Sequence, residues 1–178
     1  MLKRIIVTGA NGVGKSHFAG RIASVRPDLP VISFDAIKLK TNWEQKTPAE
    51  ITANLAKEIA KPRWILEGGP SLLPRAISEA DALIWLDPPE YVRTWQLFLR
   101  PLKFAGKTRP ELPAGNVDRP LQQYRFAVRS LSKRRKFRRH ISEFFDDTYE
   151  RSDGVQKWRC RNRVDQIHVL AELGEQVH

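Results

Sequence analysis

The sequence predicts an α/β protein, a three-layer arrangement in which a parallel sheet is covered by helices on both faces. Two observations carry this. The apolar runs Ile5-Ile6-Val7, Val31-Ile32, Trp64-Ile65-Leu66 and Leu83-Ile84-Trp85-Leu86 are short and unbroken, as in strands buried on both faces. Between them lie segments with apolar residues at three- and four-residue spacing, and parallel strands need such helical crossovers.

The first strand reads as Lys3 to Thr8, followed from Lys15 by a helix with Phe18, Ile22 and Val25 on one face. Arg26-Pro27-Asp28 ends it. A second strand, Val31 to Phe34, terminates in Asp35. Thr47-Pro48-Ala49-Glu50 forms a capping box with proline at the first helical position, and Ile51, Leu55 and Ile59 line the helix behind it. The third strand ends in Glu67-Gly68-Gly69. The fourth ends in Asp87-Pro88-Pro89-Glu90, a helix start with Asp87 as its cap. The next helix places Val92, Trp95, Phe98 and Leu99 inward and stops at Arg100, before Pro101. Residues 101–120 carry four prolines and two glycines and read as a mobile insert. One long helix then spans Leu121 to Phe145, with Tyr124, Val128, Leu131, Arg138, Ile141 and Phe145 at helical spacing. A fifth strand, Val155 to Cys160, and a final helix, Val164 to Leu173, complete the chain.

With 178 residues, 41% of them apolar and 29% charged, the chain suits one globular domain. No apolar run approaches the roughly 20 residues of a membrane span, and no signal-peptide pattern opens the sequence, so the expected location is cytoplasmic. Cys160 is the only cysteine, which rules out an intrachain disulfide and a cysteine-rich zinc site. His17 and His140 stand alone and read as surface residues. The formal charge of +11 favours anionic partners such as nucleotides, phosphorylated metabolites or nucleic acid.

Gly9-Ala10-Asn11-Gly12-Val13-Gly14-Lys15-Ser16 matches G-x-x-x-x-G-K-S and lies directly between an apolar strand and an amphipathic helix, the context a phosphate-binding loop requires. Its glycines let the backbone curl until several N–H groups share one concavity at a helix N-terminus. Lys15 reaches the β- and γ-phosphates, and the Ser16 hydroxyl completes a magnesium shell. The pattern therefore points to ATP with magnesium and to phosphoryl transfer. No Asn-Lys-x-Asp guanine motif is present, which favours adenine.

Magnesium in such a site needs a carboxylate at a neighbouring strand end. Glu67 is the candidate, at the carboxyl edge of the sheet where open α/β folds bind ligands. Asp35 occupies the same edge and suits orienting an acceptor hydroxyl or a metal-bound water. Phosphoryl transfer also needs cations near the moving group, and Arg93, Arg100, Lys107 and Arg109 lie in or beside the insert. Arg100 stands out, at the junction of helix and insert.

These motifs resemble the adenylate-kinase-like, nucleoside-monophosphate-kinase branch of P-loop proteins, and more closely the bacterial DNA topology modulation proteins. The resemblance rests on Gly9 to Ser16, Ile32-Ser33-Phe34-Asp35, Trp64 to Gly68, Ile84-Trp85-Leu86-Asp87-x-Pro89 and Gly106 to Glu111. It implies a five-stranded sheet of order 2-3-1-4-5, an acceptor side near residues 36–60 that includes Gly68 and Gly69, and a lid near 101–120. It also implies that Glu67 organises magnesium waters, that Arg100 acts on the phosphates and that Arg161-Asn162 borders adenine. Gln96 replaces an arginine of the pattern, which implies a looser hold on the base. Glu67-Gly68-Gly69 replaces an Asp-Gly followed by a larger residue, so the acceptor need not be a nucleotide.

Eight Lys or Arg residues and no acid lie between Leu121 and His140. They could bind nucleic-acid phosphates, or solvate the outer face of a helix while those near the sheet edge face the nucleotide. The favoured expectation is a small-molecule kinase; the alternative is an ATP-dependent nucleic-acid-binding or regulatory protein.

Overall fold

The computed structural model describes residues 1–103, Asn116, 120–146 and 154–175. Its strands are β1 (Arg4–Gly9), β2 (Val31–Ser33), β3 (Trp64–Gly68), β4 (Ala82–Leu86) and β5 (Gln156–Cys160). They form one sheet of order β2-β3-β1-β4-β5 in which every pairing is parallel, the order the resemblance implied.

Alternation along each strand divides the core. Ile5, Val7, Ile65 and Ile84 face Phe18 and Ile22 of α1 (Lys15–Val25), and Val169 and Leu173 of the C-terminal helix. Ile6, Leu66, Leu83 and Trp85 face the other way. There they meet Phe34 of α2 (Phe34–Lys38), Leu55 of α3 (Pro48–Ile59), and Leu73 and Ala76 of α4 (Leu73–Ala76). Both faces of the sheet are thus dry, which is why its strands are unbroken apolar runs.

Thr47 and Glu50 make the expected capping box: Glu50 N–H donates to Thr47 Oγ1 at 3.2 Å and Thr47 N–H to Glu50 Oε2 at 2.7 Å. In α1 the buried stripe is Phe18, Ala19 and Ile22, and Val25 is exposed. The helix ends there because Arg26 leaves the helical conformation ahead of Pro27, and its side chain turns inward. Its guanidinium is fully buried and donates to Asp28 and to the Leu2 carbonyl.

The helix after β4, α5 (Glu90–Lys103), departs from expectation in three ways. Asp87 does not cap it: the Pro89 carbonyl accepts the first N–H groups, from Val92 and Arg93. Its inward positions are Arg93 and Leu97, each 2% exposed, while Trp95 is 67% exposed and Phe98 and Leu99 face outward. Two stripes of this helix share the same spacing, and the polar partners of Arg93 decide between them. The helix also runs through Pro101, whose missing N–H removes one helical hydrogen bond.

The expected helix over 121–145 is two helices, α6 (Pro120–Ser132) and α7 (Arg134–Phe145), broken at Lys133. Each half must bury a different face. Ala127 and Ser130 are buried in α6, which packs on α5, whereas Ile141 and Phe144 of α7 join the sheet core. Val128, placed on the spaced stripe, is exposed. The last helix, α8, is Arg163–Glu175.

Candidate functional site

The loop from Gly9 to Ser16 connects β1, the central strand, to α1. Gly12 and Gly14 both have φ of 86°. The first i−4 helical bond runs from Phe18 N to Gly14 O at 2.9 Å, so the amides of Lys15, Ser16 and His17 precede the helical ladder and point out of its positive end. Lys15 Nζ donates to Ala10 O at 3.1 Å, folded over its own loop. Ser16 is half-buried beside it.

α5 forms the seat of this loop. A Cβ on Gly12 would lie 2.5 Å from Leu97 Cγ, so the glycine sits directly on the leucine. Arg93, expected as a cation of the insert, instead lies beneath the loop. Its Nε donates to Asn11 O at 3.4 Å and its Nη2 to Ser130 O at 2.9 Å, while Nη1 pairs with Glu90 at 3.0 Å.

Glu67 is the penultimate residue of β3, opposite Val7 of β1 and Ser33 of β2, and 4% exposed. Thr8 Oγ1 donates to Gly68 O at 3.2 Å, joining the two strand ends. Phe34 and Leu72 pack on Gly68, whereas a Cβ on the half-buried Gly69 would meet open space. Asp35 lies in the first turn of α2, half-exposed, with Lys38 Nζ at 2.8 Å from its Oδ1.

Asp87, past the end of β4, holds two arginines at one carboxylate oxygen. Arg138 Nη2 and Arg159 Nη2 both reach its Oδ2 at 2.6 Å, and the Arg159 guanidinium lies 4.2 Å from the Trp85 ring centroid. Asp87 and Arg138 also line a crevice beside the Gly9–Ser16 loop, with Ala10 and Val13 of that loop, Glu90 and Arg93 of α5, and apolar residues such as Phe137 and Ile141. Arg138 fell on the helical stripe in the sequence, a cation at an inward position; Arg159 gave no signal beyond its place in a strand.

Asn116 is the other residue sequence reasoning missed. Fully buried, it accepts from Trp43 N through Oδ1 and donates to Lys40 O at 2.9 Å. It therefore holds a turn in which Asn42 and Trp43 both have positive φ. Arg100 lies in the last turn of α5; Lys107 and Arg109 lie outside the described residues. Arg161 and Asn162 are exposed between β5 and α8. Asn162 Oδ1 accepts Asp165 N at 3.0 Å, and Asp165 Oδ2 accepts the amides of both residues, so this pair caps α8.

Cys160 is buried, and burial together with the nearby Asp165 carboxylate pushes its thiol up to about 12. His17 is exposed, and His140 contacts Glu143 and Phe144. Among the described residues no group of three or more His, Cys, Asp or Glu could hold a metal, and no helix is long and apolar enough to cross a membrane.

No family model and no curated protein sequence matches this chain. Solved structures do match it. A shikimate kinase from Bacteroides thetaiotaomicron is 17% identical with a TM-score of 0.51, the match covering 99% of both chains. A shikimate kinase from Acinetobacter baumannii in complex with shikimate is 12% identical, TM-score 0.53, covering 99% of this chain and 93% of its own. A gluconokinase from Sinorhizobium meliloti is 16% identical, TM-score 0.50, covering 98% and 95%. The chain has the fold of these P-loop kinases. In it the Gly9–Ser16 loop leaves the central strand, with Glu67 near the end of β3 on one side and Asp87 just past the end of β4 on the other.

Proposed function

We propose that this protein binds ATP with magnesium and transfers the γ-phosphoryl group to a small-molecule acceptor. The observation that carries the reading is the Gly9–Ser16 loop, with the amides at the start of α1 converging beside a folded-over Lys15. The full-length likeness in fold to small-molecule kinases supports it.

The residues fit the ligand chemically. Glycines at positive φ expose backbone N–H groups to an anion, and Lys15 needs only to exchange the Ala10 carbonyl for a phosphate oxygen. Ser16 and Glu67 supply oxygen donors of the kind magnesium takes, with water and phosphate completing the shell. When bound, ATP–magnesium supplies the electrophilic γ-phosphorus. The acceptor oxygen bonds to it as the β–γ bridging bond breaks, and the acceptor's hydroxyl proton passes to a carboxylate, a role assigned to Asp35. Arg100, Lys107 and Arg109 are assigned to neutralising the transferred group, and Arg161-Asn162 to the edge of the adenine.

Segment 36–60, with Gly68 and Gly69, forms the acceptor side in this reading, and 101–120 the lid of a single cytoplasmic domain. Its finer placement is the adenylate-kinase-like branch near the DNA topology modulation proteins. The test is ADP release from ATP–magnesium across nucleosides, nucleoside monophosphates, shikimate, sugar acids, sugars and nucleic acids. Release that depends on one small acceptor, abolished in Lys15→Ala, is expected; turnover unchanged in Lys15→Ala would refute the assignment.

One observation favours a second reading. Arg125, Arg129, Arg135, Lys136 and Arg139 are exposed on α6 and α7, opposite the faces those helices bury, a surface suited to nucleic-acid phosphates. Hydrolysis without a small acceptor, stimulated by DNA or RNA and falling with salt, would favour this reading over the kinase.

A further inference from the structure

We propose that Arg93 is a positioning residue that couples α6 to the phosphate loop, so that nucleotide binding is felt in the helix following the insert. The inference rests on the nucleotide-binding reading above. A guanidinium 2% exposed must be paired and hydrogen-bonded to be tolerated, and among the described residues Arg93 reaches partners in α5, in α6 and in the loop. Glu90, one turn earlier in α5, balances its charge. Its Nη2 donates to the carbonyl of Ser130 at 2.9 Å and lies 3.4 Å from the hydroxyl, in α6. Its Nε donates to the Asn11 carbonyl, in the loop itself.

The last contact sets the direction of a peptide plane. In a trans peptide the carbonyl and the following N–H point opposite ways, so holding Asn11 O toward Arg93 turns the Gly12 N–H away from α5. Leu97, one turn further along α5, packs on Gly12 and fixes the height of the same peptide. The loop is therefore shaped from behind by two residues of one helix face. One of them also grips α6. A planar fork with donors on separate edges can span Asn11 and Ser130 at once; an ammonium cannot.

The experiment is amide hydrogen exchange on the full chain with and without saturating ATP–magnesium, in wild type and Arg93→Met. In wild type, nucleotide is expected to slow exchange both in residues 9–18 and in residues 120–132. In Arg93→Met the dissociation constant for ATP is expected to rise roughly tenfold, the equivalent of one charge-assisted hydrogen bond. At saturation the loop should still be protected while 120–132 no longer responds, a split that general destabilisation does not produce. Should Arg93→Met fail to fold, Arg93→Lys carries the same comparison, because it keeps the buried charge while losing the fork. Nucleotide-dependent protection of 120–132 that persists in the variant overturns the inference. Protection of the loop alone in wild type overturns it while leaving the nucleotide reading standing, and no protection anywhere overturns both.

Discussion

Gly12 rests on Leu97 so closely that a methyl group on the glycine would stand 2.5 Å from the leucine Cγ. Gly12→Ala therefore faces two costs, about 1–2 kcal/mol for placing an L side chain at φ 86°, and about 1–3 kcal/mol for overpacking. Loss of ATP binding with a lowered unfolding midpoint is expected. Adding Leu97→Ala opens the space but leaves the dihedral strain and adds a cavity cost of its own, so calorimetry should find the double variant more stable than the sum of the two single losses predicts. Strictly additive losses would contradict the close contact between the two residues.

The shared carboxylate of Asp87 sets an order among three substitutions. Asp87→Ala leaves Arg138 and Arg159 facing each other without their acceptor. The cost should be about 2–3 kcal/mol, below that of a fully buried pair because Arg138 is 44% exposed. Arg159→Ala also removes the guanidinium from Trp85 and should cost less, and Arg138→Ala least, about 1 kcal/mol or below. Urea titration checks the ranking, and an Arg138→Ala loss equal to that of Asp87→Ala would contradict it.

A pH dependence follows from the capping box of α3. The Thr47 amide, and after it the Thr47 hydroxyl, hold the Glu50 carboxyl below its ordinary value of 4.5. A depressed carboxyl stabilises the fold above its unfolded value, and that contribution is lost as pH falls through the folded one. Between pH 6 and 3 the unfolding midpoint of wild type should therefore fall more than that of Glu50→Gln. Parallel decline of the two proteins would show that Glu50 carries none of the acid sensitivity.

Cys160 should be chemically silent in the native state. With its thiol pushed up to about 12, only roughly one molecule in ten thousand carries thiolate at pH 8. Iodoacetamide labelling followed by mass spectrometry should find the cysteine unmodified in native protein and fully modified in guanidinium. Rapid native labelling would contradict the burial of β5's last residue.

Features written in consecutive residues were legible in the sequence. The glycine loop between β1 and α1, the strands and the Thr47–Glu50 box each depend on neighbours a few positions apart, so pattern and physics coincide. Asp87 looked like a helix cap because Asp-Pro-Pro-Glu is one locally; its actual partners lie 51 and 72 residues away. Arg93 was hidden for a related reason. The apolar stripe of Trp95, Phe98 and Leu99 satisfied helical spacing, and nothing local shows that a buried arginine will find Asn11, Glu90 and Ser130. Asn116 is one polar residue among many in its stretch, and its bonds to the Lys40–Trp43 turn join positions more than 70 residues apart.

Central placement of β1 has a consequence for how the chain comes to be folded. Its partners are written much later: Thr8 bonds Gly68 across 60 residues, and Gly9 closes on the Leu86 carbonyl, where a Cβ would lie 2.5 Å away. During synthesis the first strand must therefore wait, apolar and unpaired, until β3 and β4 have left the ribosome. Such non-local pairing is intrinsically slow and exposed to aggregation. Nucleotide cannot assist a nascent chain that lacks the strands shaping its loop, so ATP added to refolding protein should act only on the late, closing step.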